Sequence, residues 1–142
     1  MENKKIEIPH LNELCRAIFQ QNKEKGFWNR EINIGECLML ITGELGEALE
    51  ADRKGRRVRF ADFEETVEKA GYQLYEFAMD RHYKVLSQLF LDMVKDTLED
   101  EIADAVIRLF DLAAALDIDL ESHIWAKLMY NKGRAELHGK LY

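Results

Sequence analysis

The sequence predicts an all-α protein, an antiparallel helical bundle with an extra helical insert around residues 60–88. Apolar residues recur at three- and four-residue spacing along most of the chain, and no stretch alternates apolar with polar as a half-buried strand does. Glycines and capping residues fall where the apolar stripes break, as helix ends require. At 142 residues the chain fits a single domain, 1–142, able to bury a core without covalent staples. Hydrophobic residues are 47% and charged residues 33% of the chain, a balance that favours a packed globule over disorder.

The first helix follows Pro9, whose missing N–H costs little at a helix start. Leu11, Leu14, Cys15, Ile18 and Phe19 form its apolar face, and Gly26 marks its end. The loop KGFWNREIN leads to a second helix with Ile34, Leu38, Ile41, Leu45, Ala48 and Leu49 on one stripe, stopping around Gly55. Phe60, Phe63, Val67, Ala70, Leu74 and Phe77 keep helical spacing in the insert, and Leu86, Leu89, Phe90, Met93 and Val94 do so after it. Asp96 and Thr97 can cap the next helix, with Thr97 and Asp100 at capping-box spacing. That helix carries Leu98, Ile102, Ala105, Val106, Leu109, Ala113 and Leu116. Asp119 can cap the last helix, which runs from Leu120 towards Gly133.

The formal net charge of −7 opposes general binding to nucleic acid, whose phosphates attract basic surfaces. A polyphosphate can still bind an acidic protein if cations stand between them. No apolar run approaches the roughly 18 residues of a membrane span, and the start MENKKIEIPH is too polar for a signal peptide, so a cytoplasmic protein without membrane attachment is expected. Cys15 and Cys37 sit within apolar helical patterns and read as reduced thiols; no CxxC pair offers a zinc site. Arg53, Lys54, Arg56, Arg57 and Arg59 form a basic cluster that is a solvated turn, a phosphate-attracting loop or a partner contact.

Two acidic motifs carry the chemistry: ELGE at 44–47 and EDEIAD at 99–104. Glu44 and Glu47 are three residues apart, as are Glu101 and Asp104, so each pair leaves one side of its helix. At about 100° per residue, Glu44 and Glu47 lie roughly 80–140° to one side of their apolar stripe, and Glu101 with Asp104 roughly 60–120° to the same rotational side of theirs. If the stripes face each other in antiparallel helices, both pairs emerge on one side. Four converging carboxylates repel unless protons or cations neutralise them, and hard oxygen ligands suit magnesium or manganese. Acids at this spacing also decorate ordinary solvated helices. A di-iron bundle needs inward Glu-x-x-His pairs; the one such spacing, Glu7 with His10, straddles Pro9 and is discarded.

On the last helix Leu120, Ile124 and Leu128 form an apolar stripe, and Lys127, Asn131 and Arg134 continue nearly the same face. Such polar groups suit a polyanion or a solvated helix end. Trp28 and Phe27 could stack on a base or pack into the core.

With these motifs the chain resembles the MazG-like, all-alpha nucleoside triphosphate pyrophosphohydrolases, marked by E-x-x-E on one helix and E-x-x-D on another. The resemblance extends to KGFW at 25–28, ECLMLITGELGEALEADRKG, KDTLEDEIADAVIRLFDLA and KLMYNKGRAELHGK, covering roughly residues 23–58 and 90–140. It implies that Glu44, Glu47, Glu101 and Asp104 hold magnesium and carry catalysis. It also implies substrate contacts from Lys127, Asn131 and Arg134; Trp28, as an aromatic that could stack on a base, joins them as a substrate-binding candidate. The implied reaction cuts a nucleoside triphosphate, standard or modified, to monophosphate and pyrophosphate. Many members carry Glu-Glu-x-x-Glu, whereas Gly43 stands before Glu44 here, and residues 60–88 lengthen the interval between the motifs. The alternatives are a phosphoribosyl-ATP pyrophosphohydrolase and a catalytically silent helical interaction or regulatory protein. A homodimer or larger homo-oligomer is expected, because amphipathic helices in a small chain leave apolar surface uncovered.

Overall fold

A computed structural model of the protein describes residues 10–72 and 83–134. Pro9, Glu7, Leu74, Phe77 and the sequence from Ala135 onward lie outside the described residues. Among the described residues six helices form: α1 Leu11–Glu24, α2 Ile34–Arg53, α3 Phe60–Lys69, α4 Tyr83–Met93, α5 Leu98–Ala115 and α6 Leu120–Lys132. No strand occurs among the described residues, so the all-helical class holds.

The predicted stops are real helix ends with a local cause. Gly26 has φ 86° and Gly55 φ 66°, left-handed values that a side chain would oppose. In that conformation Phe27 N–H reaches Asn22 C=O and Arg56 N–H reaches Ala51 C=O, so carbonyls left over at the ends of α1 and α2 are satisfied. At the other end of α2, Asn33 Oδ1 accepts from Glu36 N–H at 3.1 Å, a cap that sequence reading had passed over. Asp119 caps α6 as expected, accepting from Ser122 N–H at 3.1 Å. Thr97 caps α5 by accepting from Asp100 N–H at 3.3 Å, but Asp100 does not return the bond to Thr97. Its Oδ2 accepts from Asp96 N–H at 2.9 Å instead.

The chain divides into two compact units, one of residues 1–32 with 109–142 and one of residues 33–108. In the first, α1 packs on α6. Asn12 ties them together: its Nδ2 donates to Asp119 Oδ1 at 2.7 Å, and its Oδ1 accepts from Glu121 N–H at 3.1 Å. Two hydrogen bonds from other elements converge on buried Asp111, near the end of α5. Asn22 Nδ2 donates to its Oδ2 at 2.7 Å, and Trp28 Nε1 donates to its Oδ1 at 3.0 Å. The Trp28 ring rests against Phe19, with centroids 5.5 Å apart.

In the second unit α3 packs on α4. Their core is Phe63, Val67 and Val94, flanked by Val58, Leu86, Leu89, Phe90 and Met93. Phe63 meets Phe90 edge-on at 6.1 Å. The described part of the insert therefore buries apolar surface of its own. Helices α2 and α5 run in opposite directions here: Leu98 N–H, at the start of α5, donates to Arg56 C=O just past the end of α2, whereas Arg108 pairs with Glu44 in the middle of α2.

Asp111 is satisfied from both sides, so its removal strands two donors in a place with little water. Asp111→Ala is expected to lower unfolding free energy by about 2–4 kcal/mol, the range for losing hydrogen bonds to a buried charged acceptor. Urea denaturation checks this; a change below about 0.5 kcal/mol would show the cluster to be incidental.

Candidate metal centre

Glu44 sits on the flank of α2 that also carries the buried Ile41, Ala48 and Ala51. Glu101 and Asp104 lie one turn apart on α5. Because α2 and α5 are antiparallel, these side chains converge: Glu44, Glu101 and Asp104 each offer a carboxylate oxygen, all within 4.8 Å of one another. Glu44 and Glu101 are buried, Glu101 to 2% exposure, and Asp104 is half-buried. Glu101 Oε2 is shut off from solvent and has no hydrogen-bond partner among the described residues.

Among the described residues, two cations border the group. Arg108 Nε donates to Glu44 Oε1 at 2.5 Å. Lys95 Nζ lies 3.0 Å from Asp100 Oδ2, 3.8 Å from Glu101 Oε1 and 3.9 Å from Asp104 Oδ2. A second acidic group, Asp96, Asp100 and Glu101, shares Glu101 with the first. Burial pushes the Glu101 carboxyl above its ordinary pKa; Lys95 opposes this, and the charges of Glu47, Asp100 and Asp104 add to it. Asp104 is raised as well, first by burial and then by Asp100, with Lys95 acting against the rise. The ammonium of Lys95 is held protonated well above its ordinary value, chiefly by its hydrogen bond to Asp100.

Of the predicted metal ligands, the structure brings Glu44, Glu101 and Asp104 together. Glu47 is exposed and lies outside that three-acid group, although its charge is felt at Glu101. Trp28, Lys127, Asn131 and Arg134 belong to the first unit. Trp28 is engaged by Phe19 and Asp111, as described above. The Lys127 and Arg134 cations both approach the Tyr130 ring, at 4.9 and 5.6 Å from its centroid. The Asn131 side-chain oxygen is buried with no partner among the described residues.

Sequence reasoning missed Lys95, Asp100 and Arg108. Arg108 was within reach, since it lies four residues after Asp104 and seven after Glu101 and so shares their helix face. Lys95 precedes the helix, and no periodicity points to it. The basic cluster resolves largely into ion pairs: Lys54 with Glu50, Arg57 with Glu99 and Arg59 with Asp62. Exposed pairs of this kind contribute little stability, but they spend the charge that a phosphate would need.

Searches against protein-family models, curated proteins and solved structures found no match. No helix among the described residues is long and apolar enough to cross a membrane.

The donor set fits a hard divalent cation. It offers carboxylate oxygens only, and one of them is buried with its lone pairs unused. The raised carboxyls set a pH dependence whose sign follows from proton counting. Because Glu101 and Asp104 hold their protons more tightly folded than unfolded, the folded state binds more protons once pH passes the ordinary range near about 4. Their contribution to stability therefore falls as pH rises. In chelator, Glu101→Gln should be more stable than wild type at neutral pH and nearly equal near pH ~4, while losing any stabilisation by added Mg²⁺. Melting curves across pH measure this, and a variant less stable at neutral pH would show Glu101 to be a structural acceptor.

Proposed function

We propose that the protein is a divalent-metal-dependent nucleotide pyrophosphohydrolase that converts a nucleoside triphosphate, standard or modified, to its monophosphate and pyrophosphate. One observation carries this: a buried, unpartnered carboxylate oxygen of Glu101 inside a three-acid group. An ordinary solvated acidic face has no reason to bury such an atom, since an unmet buried acceptor costs about 1–3 kcal/mol, and more when it is charged. The sequence resemblance described above supports the same activity.

Glu44, Glu101 and Asp104 would hold the ion, Mg²⁺ or Mn²⁺, with Glu47 one turn along α2 available as a further ligand or as the base that accepts a proton from water. Once bound, the ion supplies charge neutralisation for the polyphosphate and a water of lowered pKa. Arg108 orients the Glu44 carboxylate through its hydrogen bond. Lys127, Asn131 and Arg134 are assigned phosphate or sugar contacts on the strength of the sequence motif. Their alanine variants test that assignment directly: Lys127→Ala and Arg134→Ala are expected to lower kcat/KM by on the order of 10²-fold, the loss typical of one transition-state donor.

The test of the activity is a panel of standard and modified nucleotides incubated with Mg²⁺, with products separated by chromatography. The expected products are monophosphate and pyrophosphate; orthophosphate as the first product, or full activity in excess chelator, would sink the proposal. Glu47→Gln and Asp104→Asn are expected to abolish turnover while leaving stability in chelator equal or higher. Cation binding without hydrolysis of any nucleotide, phosphoribosyl-ATP included, would point to a silent regulatory protein.

We further propose that the protein functions as a homodimer. On α2, Ile34, Leu38, Leu45 and Leu49 occupy a roughly 60° arc beside the buried flank, and all four are about half exposed. On α5, Ile102 and Val106 are similarly uncovered. Two antiparallel helices with apolar residues on the same side make a surface that a twofold axis can pair with itself, forming four helices around a common core. Light scattering at micromolar concentration is expected to give twice the 16.6 kDa chain mass or a multiple of that, and Leu45→Glu to shift it towards the monomer. A wild-type monomer would refute the assembly without touching the activity.

A further inference from the structure

Lys95 lies in the short turn between α4 and α5, followed by Asp96 in the left-handed conformation at φ 61°. That turn sets the lysine beside the first turn of α5. Its Nζ comes within 3.0 Å of Asp100 Oδ2, 3.4 Å of Asp96 Oδ1, 3.8 Å of Glu101 Oε1 and 3.9 Å of Asp104 Oδ2. One ammonium therefore touches all three acids of the second group and two of the three acids of the first. Its side chain is 39% exposed, so a path to solvent is open, and a lysine stem has the rotamers to use it. The unpartnered Oε2 of Glu101 shows that the ammonium does not satisfy the group completely.

We propose that Lys95 is a built-in counter-ion of the acid group, occupying it until a divalent cation displaces the ammonium towards solvent, and that this exchange makes the site discriminate against monovalent cations. The inference rests on the metal reading above. Exchanging the ammonium for K⁺ or Na⁺ leaves the charge at the site unchanged and forfeits the N–H···O bond to Asp100. A divalent ion brings one more positive charge and the close oxygen coordination that an ammonium cannot make. Before metal arrives, the ammonium also limits the repulsion among acids that would otherwise drive them apart.

The experiment uses the full chain, wild type against Lys95→Gln and Lys95→Arg, at one neutral pH. Mn²⁺ affinity is read by the electron paramagnetic resonance of the free ion, and melting temperature is measured in chelator. Lys95→Gln is expected to bind Mn²⁺ about tenfold or more tightly, a change equivalent to about 1.4 kcal/mol. In chelator it should melt about 5 °C or more below wild type, within the shift expected from losing one such ion pair. In this variant KCl should weaken Mn²⁺ binding more than tetramethylammonium chloride of equal ionic strength does, because K⁺ can now enter the group; in wild type the two salts should act alike. Lys95→Arg keeps the charge, should stay near wild type in chelator, and keeps the test open if Lys95→Gln folds only with metal present, a result that itself supports the proposal. Unchanged or weaker Mn²⁺ binding by Lys95→Gln, with wild type binding normally, overturns the counter-ion role and leaves the metal site standing. Failure of wild type and both variants to bind Mn²⁺ overturns the metal reading and this inference together.

Discussion

Bringing Glu44, Glu101 and Asp104 within 4.8 Å of one another sets like charges against each other where two of the three acids are buried. At an effective dielectric near 20, each ionised pair at that separation repels by about 3 kcal/mol. A small domain is stable by only about 5–15 kcal/mol in total, so such a group persists only if something nearby neutralises it. The second unit does so in three ways. Arg108 pairs with Glu44, Lys95 stands over Glu101 and Asp104, and the carboxyls of Glu101 and Asp104 hold protons more strongly than usual. Even so, an oxygen of Glu101 is left without a partner. Incomplete compensation around a buried acid separates a group that could hold a cation from an internal salt bridge.

Asp111 makes the contrast within the same chain. It too is a buried carboxylate, yet Asn22 and Trp28 each give it a donor and both oxygens are used. A buried acid satisfied by neutral donors holds a structure together, and nothing further is asked of it. Trp28, which sequence reasoning offered to a nucleotide base, supplies one of those donors and packs on Phe19. Its polar edge is thus tied to an acid of the first unit.

Much of the helical layout was legible because its signals are local. The stops at Gly26 and Gly55 follow from left-handed backbone that glycine adopts freely, and the cap of α6 by Asp119 follows from an acceptor placed just before a run of free N–H groups. The same local logic failed at Thr97 and Asp100. The capping box expected there is replaced by a bond from Asp96 N–H to Asp100, while the cap's own N–H, that of Thr97, is given to Val94 C=O in the turn from α4. Which apolar residues end up covered was not legible either. Leu38, Leu45 and Leu49 carry the same periodic signal as Ile41 and Ala48, but only the latter two are buried within the chain. Periodicity fixes the side of a helix and is silent on how much of that side a neighbour reaches.

By itself, then, the sequence determined the helices, most of their ends, the antiparallel sense in which α2 and α5 had to run for their acids to meet, and three of the acids that do meet. These follow from rotation per residue and from the chemistry of single side chains, and both are properties of short segments. Tertiary structure alone decided that Glu47 stays outside the group, that Arg108 reaches across to Glu44, and that Glu101 is the one buried most deeply. Those outcomes depend on distances between residues far apart in the chain, such as the 64 positions that separate Glu44 from Arg108. No pattern within one helix encodes such a distance, because it is set by how the helices pack and by the charge that packing has to accommodate.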